Sequence, residues 1–350
     1  MSLFRTVLRL PLSLALLAIL VSNPASAERT WELKFATLAP AGTTWMKLLE
    51  EWAETVRTES NGRLVFKIYP GGVQGDEPDV LKKIRFGQLH GGAFTGYGIG
   101  RIYSPARVLE LPFLFNDIGE VDHVREQLMP AIEQGYRDNG YEMLGWMEVG
   151  HVYFFSRKPI RSLKDLTEAR LWYWQGDPMG KAFFDASKLS PVPLSIIDVY
   201  TSLSTGMIDT VYAPPLGALA LQWFAKTSYI TNVPMANGIG SLVVSRRFFQ
   251  RLPQDLQLLL KRTGRETGAR LVAATRSDNA EALEILQQHG LELIEADADL
   301  ISGEIEQISA KAGRTLVENG YIPAPVIERV RGLINEYRES AREAAAHEDS

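Results

Sequence analysis

Strand-like and helix-like periods alternate along this chain, and that alternation constrains its architecture more than any single residue. Trp31-Glu32-Leu33-Lys34-Phe35 sets three apolar side chains on one face and two charges on the other, the period of a half-buried strand. Leu38-Ala39-Pro40-Ala41-Gly42 turns the chain, and Thr43 or Thr44 is placed to cap a helix from about Trp45 to Ser60. Trp45, Leu48, Leu49, Trp52 and Val56 form one stripe along it. Asn61-Gly62 makes the next turn, Leu64–Tyr69 reads as a second strand, and a helix from about Pro78 to Phe86 stops at Gly87. This order predicts an α/β chain with mainly parallel sheets.

Two longer-range features extend the pattern. Residues Val80–His90 and Val199–Asp209 share one plan: a helix, a glycine stop and a return to a strand. Any two βαβ units share that plan, so it fits either generic α/β repetition or two similar lobes around a cleft. Asp255–His289 contains no proline and is rich in good helix formers. As one helix its roughly 35 residues would reach about 50 Å, far enough to brace two lobes from behind. Gly264 and Gly268 are the points where it would kink or divide.

The N-terminus speaks to compartment. Arg5 and Arg9 precede an apolar run from Pro11 to Val21, and Ala25-Ser26-Ala27 follows as a small-residue cleavage site. This is the plan of a secretory signal peptide over residues 1–27, with a mature chain from Glu28 in the periplasm. The apolar run is shorter than the roughly 20 residues of a spanning helix, so no membrane insertion is expected after cleavage. Loss of Arg5 and Arg9 moves the formal charge from -5 to -7. Such a chain is a poor partner for nucleic acid or anionic membranes. The absence of cysteine removes disulfides and thiolate metal sites. The five histidines have no metal-pair spacing, no cofactor motif is complete, and neither a catalytic residue nor a metal ligand is assigned.

Trp172-Tyr173-Trp174 is the densest aromatic segment. Alternation puts Trp172 and Trp174 on one face and Tyr173 on the other. The run breaks into Gln175-Gly176-Asp177-Pro178, so large rings lead into a turn carrying two polar anchors, Gln175 and Asp177. That composition suits an apolar small-molecule pocket; it also suits a buried strand followed by a turn that Asp177 caps. By position, Trp45 follows the first strand's turn, and Phe94 and Tyr97 follow the strand near His90. Trp146 and Tyr153 bracket the crossover into a second lobe.

Several motifs in order resemble the solute-binding proteins of tripartite ATP-independent periplasmic (TRAP) transporters, the DctP-like family. They are Tyr69-Pro-Gly-Gly-Val-Gln-Gly-Asp76, Val108-Leu-Glu-Leu-Pro-Phe-Leu-Phe115, Lys158-Pro-Ile-Arg-Ser-Leu-Lys-Asp-Leu166 and Val199–Asp209. The resemblance implies the two-lobed periplasmic binding protein fold. Lobe one is expected over 28–150 with a return segment at about 241–285, and lobe two over 151–240 with the tail at about 286–350. It further implies a small organic ligand in the cleft and delivery to membrane permease subunits. There are departures. Where the family carries an arginine that forks onto a ligand carboxylate, this chain has Trp172, or Tyr173 if the alignment shifts by one. In Tyr212-Ala213-Pro214, Ala213 replaces a common asparagine, and Tyr212 joins the candidate ligand contacts.

Hydrogen bonds to a charged group contribute about 1.5–3 kcal/mol, so without that arginine a simple carboxylate should bind roughly ten- to a hundredfold more weakly. A larger, partly apolar ligand is expected, such as an aromatic or long-chain acid, unless Arg101, Arg107 or a lysine supplies a relocated anion contact. Two other functions fit the same features, an exported hydrolase and a receptor presenting ligand to a signalling partner.

Overall fold

The computed structural model describes residues 29–297 and 304–348; the expected signal peptide and its cleavage site lie outside the described residues. Strands β1 (Trp31–Thr37), β2 (Leu64–Tyr69) and β3 (Gly91–Thr95) are parallel, with β1 between the other two. Next to β3 runs β8 (Tyr229–Ser245), antiparallel to it, and next to β8 runs β4 (Tyr141–Ser156), antiparallel to β8. The expectation of mainly parallel sheets therefore gives way to a mixed sheet. Its cause is topological: β4 carries the chain out of one lobe and β8 brings it back, so the two must run in opposite directions.

These two long strands build both lobes. One end of β8 pairs with β3, Gly91 opposite Val244 through Thr95 opposite Gly240. Its other end pairs with β9 (Glu292–Ile294), while β4 there pairs with β7 (Thr210–Ala213). A small parallel pair, β5 (Trp172–Trp174) and β6 (Val192–Leu194), joins β7 through a bridge from Leu171 to Thr210. Between the lobes the β4–β8 register breaks at Met143/Gly145, Glu148/Gly150 and Val152/Phe154. Gly150 takes φ 103°, which a side chain would resist, so the strand bends there.

Local chemistry accounts for the helices. Thr43 accepts the Met46 amide and starts the helix Thr44–Glu59, whose buried face is the predicted stripe from Leu48 to Val56. Glu77–Arg85 and Val199–Thr205 each end before a left-handed glycine, Gly87 and Gly206, and lead to β3 and β7, as the shared plan of the two segments predicts. The helix Gln254–Gln288 is continuous. Gly264 and Gly268 do not break it; they let it lie against β4. A Cβ at Gly264 would stand 2.8 Å from the Leu144 carbonyl oxygen, and one at Gly268 2.5 Å from that of Trp146.

That helix supplies Leu256, Leu260 and Leu271 to the core holding Leu33, Phe35 and Trp52, and Leu286 to the core holding Phe155, Trp172 and Trp223. It also holds the bend. Arg276 forks onto Asp122 (2.6 and 2.8 Å) and Glu148 (2.8 and 2.9 Å), and Asn279 donates to the Val149 carbonyl (3.1 Å). The tail is shared between lobes. Ile305–Glu318 packs on Pro178–Ser187, whereas the last helix, Ala324–Glu348, lies along Ile118–Asp138 of the first lobe. Ile327, Val330 and Ile334 of that helix belong to the same apolar core as Val124, Leu128 and Ile132.

Candidate ligand cleft

A cavity of about 220 Å³ lies where the two lobes meet, and rings and aliphatic side chains from both make most of its wall. From the second lobe, β5 presents Trp172 and Trp174 to it, while Tyr173 points the other way, as strand alternation demands. Tyr173 packs over Gly180 and donates its hydroxyl to the Asp177 carbonyl (3.0 Å). Trp172 is 1% exposed; Tyr212 stacks on it at 4.7 Å, Trp223 meets it edge-on at 5.3 Å, and its Nε1 donates to the Leu194 carbonyl (3.1 Å). The indole is thus satisfied within the protein and offers only its apolar surface.

The first lobe contributes Trp45, Phe94 and Tyr97. Trp45 belongs to its helix's apolar stripe and to the cavity at once, and its Nε1 donates to Thr275 Oγ1 (2.9 Å) on the bracing helix. Tyr97 sits 5.0 Å from Trp174 and donates its hydroxyl across the cleft to the Gln175 carbonyl (2.8 Å). Of the ten residues singled out from sequence, Trp45, Phe94, Tyr97, Trp172, Trp174, Asp177 and Tyr212 line the cavity. Trp146, Tyr153 and Gln175 do not. Trp146 takes the face of β4 opposite Met147, which does line it; Tyr153 is half-buried opposite Ala213; Gln175 is exposed in the turn.

Sequence reasoning passed over the polar residues that join the lobes. Asp76, which caps the helix Glu77–Arg85 through Oδ1, uses Oδ2 to accept three second-lobe donors: Trp174 Nε1 (2.9 Å), Ser195 Oγ (2.5 Å) and the Ile196 amide (3.3 Å). It lay in a recognised motif, but nothing local signals partners so distant in sequence. Glu77 beside it is buried and accepts the Thr95 amide (2.6 Å), the Thr95 hydroxyl (3.0 Å) and the Gly98 amide (2.6 Å). Burial pushes its carboxyl up to about 8 against those donors.

Arg107 is the one base among the described residues that line the cavity, and it is 4% exposed. Its guanidinium forks onto Asp177 (2.7 and 3.1 Å), pairs through Nε with Glu110, and reaches the Tyr321 hydroxyl (3.4 Å). Burial works against its charge, and Asp177 and Glu110 outweigh burial and hold it protonated. Burial raises Glu110. Arg101, the other relocated anion contact considered, stays outside: it is exposed and bonds Tyr97 Oη (2.9 Å). Among the described residues no His, Cys, Asp and Glu grouping could hold a metal ion, and no helix is long and apolar enough to cross a membrane.

Residues 35–310 match the family model of bacterial extracellular solute-binding protein, family 7 (DctP). The chain is 22% identical over 294 residues to the sialic acid-binding periplasmic protein SiaP of Vibrio cholerae, spanning 80% of this chain and 87% of that one. It is 20% identical over 273 residues to the 2,3-diketo-L-gulonate-binding periplasmic protein YiaO of Escherichia coli, spanning 75% and 82%. Its fold superposes on the sugar acid binding protein DctPAm of Advenella mimigardefordensis in complex with galactonate with a TM-score of 0.81, at 19% identity, covering 88% of this chain and 99% of that one. A TRAP periplasmic solute-binding protein from Pseudomonas putida with bound D-glucuronate gives 0.76 at 23% identity, covering 86% and 96%.

Proposed function

This chain belongs to family 7 of the bacterial extracellular solute-binding proteins, and from that premise we propose that it captures a small, largely apolar organic molecule between its lobes for membrane permease subunits to take up. It is a TRAP solute-binding protein, extracytoplasmic and not an enzyme. The ligand reading rests chiefly on one observation: the cavity between the lobes is walled by rings where the relatives' ligands are polar sugar acids such as sialic acid and D-glucuronate. In this reading Trp172 stands at or beside the position from which the family's arginine would reach a carboxylate, and it contributes about 25 cal/mol per Å² of ligand surface it covers.

In this reading Trp45, Phe94, Tyr97, Trp172, Trp174 and Tyr212 contact the ligand directly. The lobes divide at the β4 bend. The first runs from a mature start at Glu28 to Gly150, with the return over 241–285 and the last helix. The second runs over 151–240 with β9 and Ile305–Glu318. Export follows cleavage after Ala27, and lobe closure is the state the permease recognises.

Native mass spectrometry of protein purified from a cell extract tests the ligand class. An apolar or aromatic compound retained by the wild type and lost in Trp172→Ala supports the reading. A small dicarboxylate retained by both overturns it.

A further inference from the structure

The base that lines this cleft is not free to meet a ligand. Arg107 makes four hydrogen bonds within the protein, out of the five N–H groups a guanidinium carries. Its partners are themselves fixed. Asp177 caps the helix Pro178–Ser187 through the Met179 amide (3.1 Å), and Glu110 accepts the Ile239 amide (2.8 Å). The clamp also joins the lobes, since Arg107 precedes the crossover strand β4 and Asp177 follows β5.

We propose that Asp177, by clamping Arg107, closes this cleft to carboxylates, so that the ligand is an uncharged, ring-bearing molecule with a carbonyl or hydroxyl oxygen. The proposal rests on the solute-binding reading above and narrows it, since that reading also admitted aromatic acids. The ionisable groups of the lining are Arg107, Asp177, Glu110 and Glu77; Glu77 keeps its proton, and Asp177 with Glu110 still outnumbers Arg107, so the lining has no excess positive charge to offer an anion. A carboxylate that took Arg107 would have to displace Asp177 and leave it buried, 6% exposed, without its counter-charge. Removing one partner of a buried pair is more damaging than never having formed it.

What the site does offer is flat apolar surface and, from β7, the Tyr212 hydroxyl. The Tyr212 oxygen accepts the Trp174 amide (3.2 Å), and among the described residues no acceptor takes its own proton. That proton can go to a ligand oxygen. Burial raises the Tyr212 phenol, with the Asp177 charge adding to it, so the proton stays in place at neutral pH. A cavity of about 150 Å³ is enough to hold benzene, so about 220 Å³ suits a single ring with substituents, roughly nine to twelve non-hydrogen atoms.

Two probes of nearly equal shape and different charge test this: acetophenone and benzoate, titrated by calorimetry into the wild type, Asp177→Asn and the double variant Asp177→Asn with Arg107→Met. Asparagine caps a helix as well as aspartate, so the single variant frees Arg107 while keeping the helix start. Acetophenone should bind the wild type at least tenfold more tightly than benzoate. Because the clamp also joins the lobes, Asp177→Asn should weaken closure for both probes, so the readout is their ratio: benzoate affinity relative to acetophenone should rise at least tenfold in Asp177→Asn and fall back in the double variant. Tighter benzoate binding by the wild type, or no rise of that ratio in Asp177→Asn, overturns the proposal. Where neither probe saturates, native mass spectrometry decides. An uncharged ring compound retained from extract supports the proposal, and a retained carboxylic acid overturns it. If nothing is bound or retained, the solute-binding reading beneath it fails as well.

Discussion

Asp76→Asn should open the protein without unfolding it. One oxygen of Asp76 caps its own helix, and the other accepts Trp174 Nε1, Ser195 Oγ and the Ile196 amide from the facing lobe. An asparagine that keeps the cap turns its NH₂ toward those donors, and of the three only the serine hydroxyl can reverse its role. Each bond to a charged acceptor contributes about 1.5–3 kcal/mol in a folded protein. Water recovers much of this when the lobes part, so about 2–4 kcal/mol is expected in the closing equilibrium rather than the full sum. At 1.4 kcal/mol per factor of ten, apparent ligand affinity should fall roughly 30- to 700-fold, because binding is drawn from the closed population. The chain has no cysteine, so thiols introduced at exposed Phe86 and Met207 place one label on each lobe with no background. Distances between them should lengthen in Asp76→Asn and shorten on adding the retained ligand. Unchanged distances together with unchanged affinity would refute the view that Asp76 holds the lobes together.

Four further outcomes follow from the same geometry. Trp172→Ala removes a ring packed by Trp174, Tyr212 and Trp223 and should cost about 3–5 kcal/mol in urea unfolding, as well as ligand binding. Gly268→Ala should destabilise by about 1–3 kcal/mol despite alanine's better helix propensity, because its Cβ meets the Trp146 carbonyl. Gly313→Ala, in the helix Ile305–Glu318 with nothing within 4 Å, should instead stabilise by about 0.5–1 kcal/mol in the same assay. Burial raises Glu77 to about 8, so the folded state holds a proton the unfolded chain has released. Stability from this group is present below the ordinary glutamate range and is lost as pH rises toward 8, by up to about 1.4 kcal/mol per pH unit. Thermal unfolding across pH 5–8 should show that decline in the wild type and a flatter profile in Glu77→Gln; a wild type that gains stability over the window would show that the three donors to Glu77 outweigh burial.

Sequence periodicity reached as far as local geometry reaches. Strand alternation separated Trp172 and Trp174 from Tyr173, and the helical stripe through Trp52 and Val56 is the buried face. Trp146 and Tyr153 were singled out by their place at the crossover and do not line the cavity; between them β4 loses register at Glu148/Gly150, and again around Tyr153 at Val152/Phe154. Each slip moves side chains to the other face, so an even–odd count cannot be carried across the bend. Phe183 and Phe184 line the cavity from a helix that was read only as the turn after Asp177. Arg107 and Glu110 stand three apart, a spacing that signals a pair on one helical turn. The spacing does not reveal that Asp177, 70 positions away, completes the clamp.

The two cross-lobe contacts also bear on why the cleft can do without an arginine free to grip a ligand. Where a ligand carboxylate is gripped by an arginine, the ligand itself supplies part of the attraction that draws the lobes together. An uncharged ring cannot do that; it contributes only the apolar area it covers, about 25 cal/mol per Å². Here the protein carries the ionic bridge internally, through Arg107 and Asp177, and adds the three bonds accepted by Asp76. Closure then depends less on ligand charge, and discrimination falls to shape: a molecule that leaves part of the ring-lined space empty forfeits contact on every side of the gap. A cleft of this kind should rank ligands by how completely they fill it, and added acidic groups should weaken binding even where they fit.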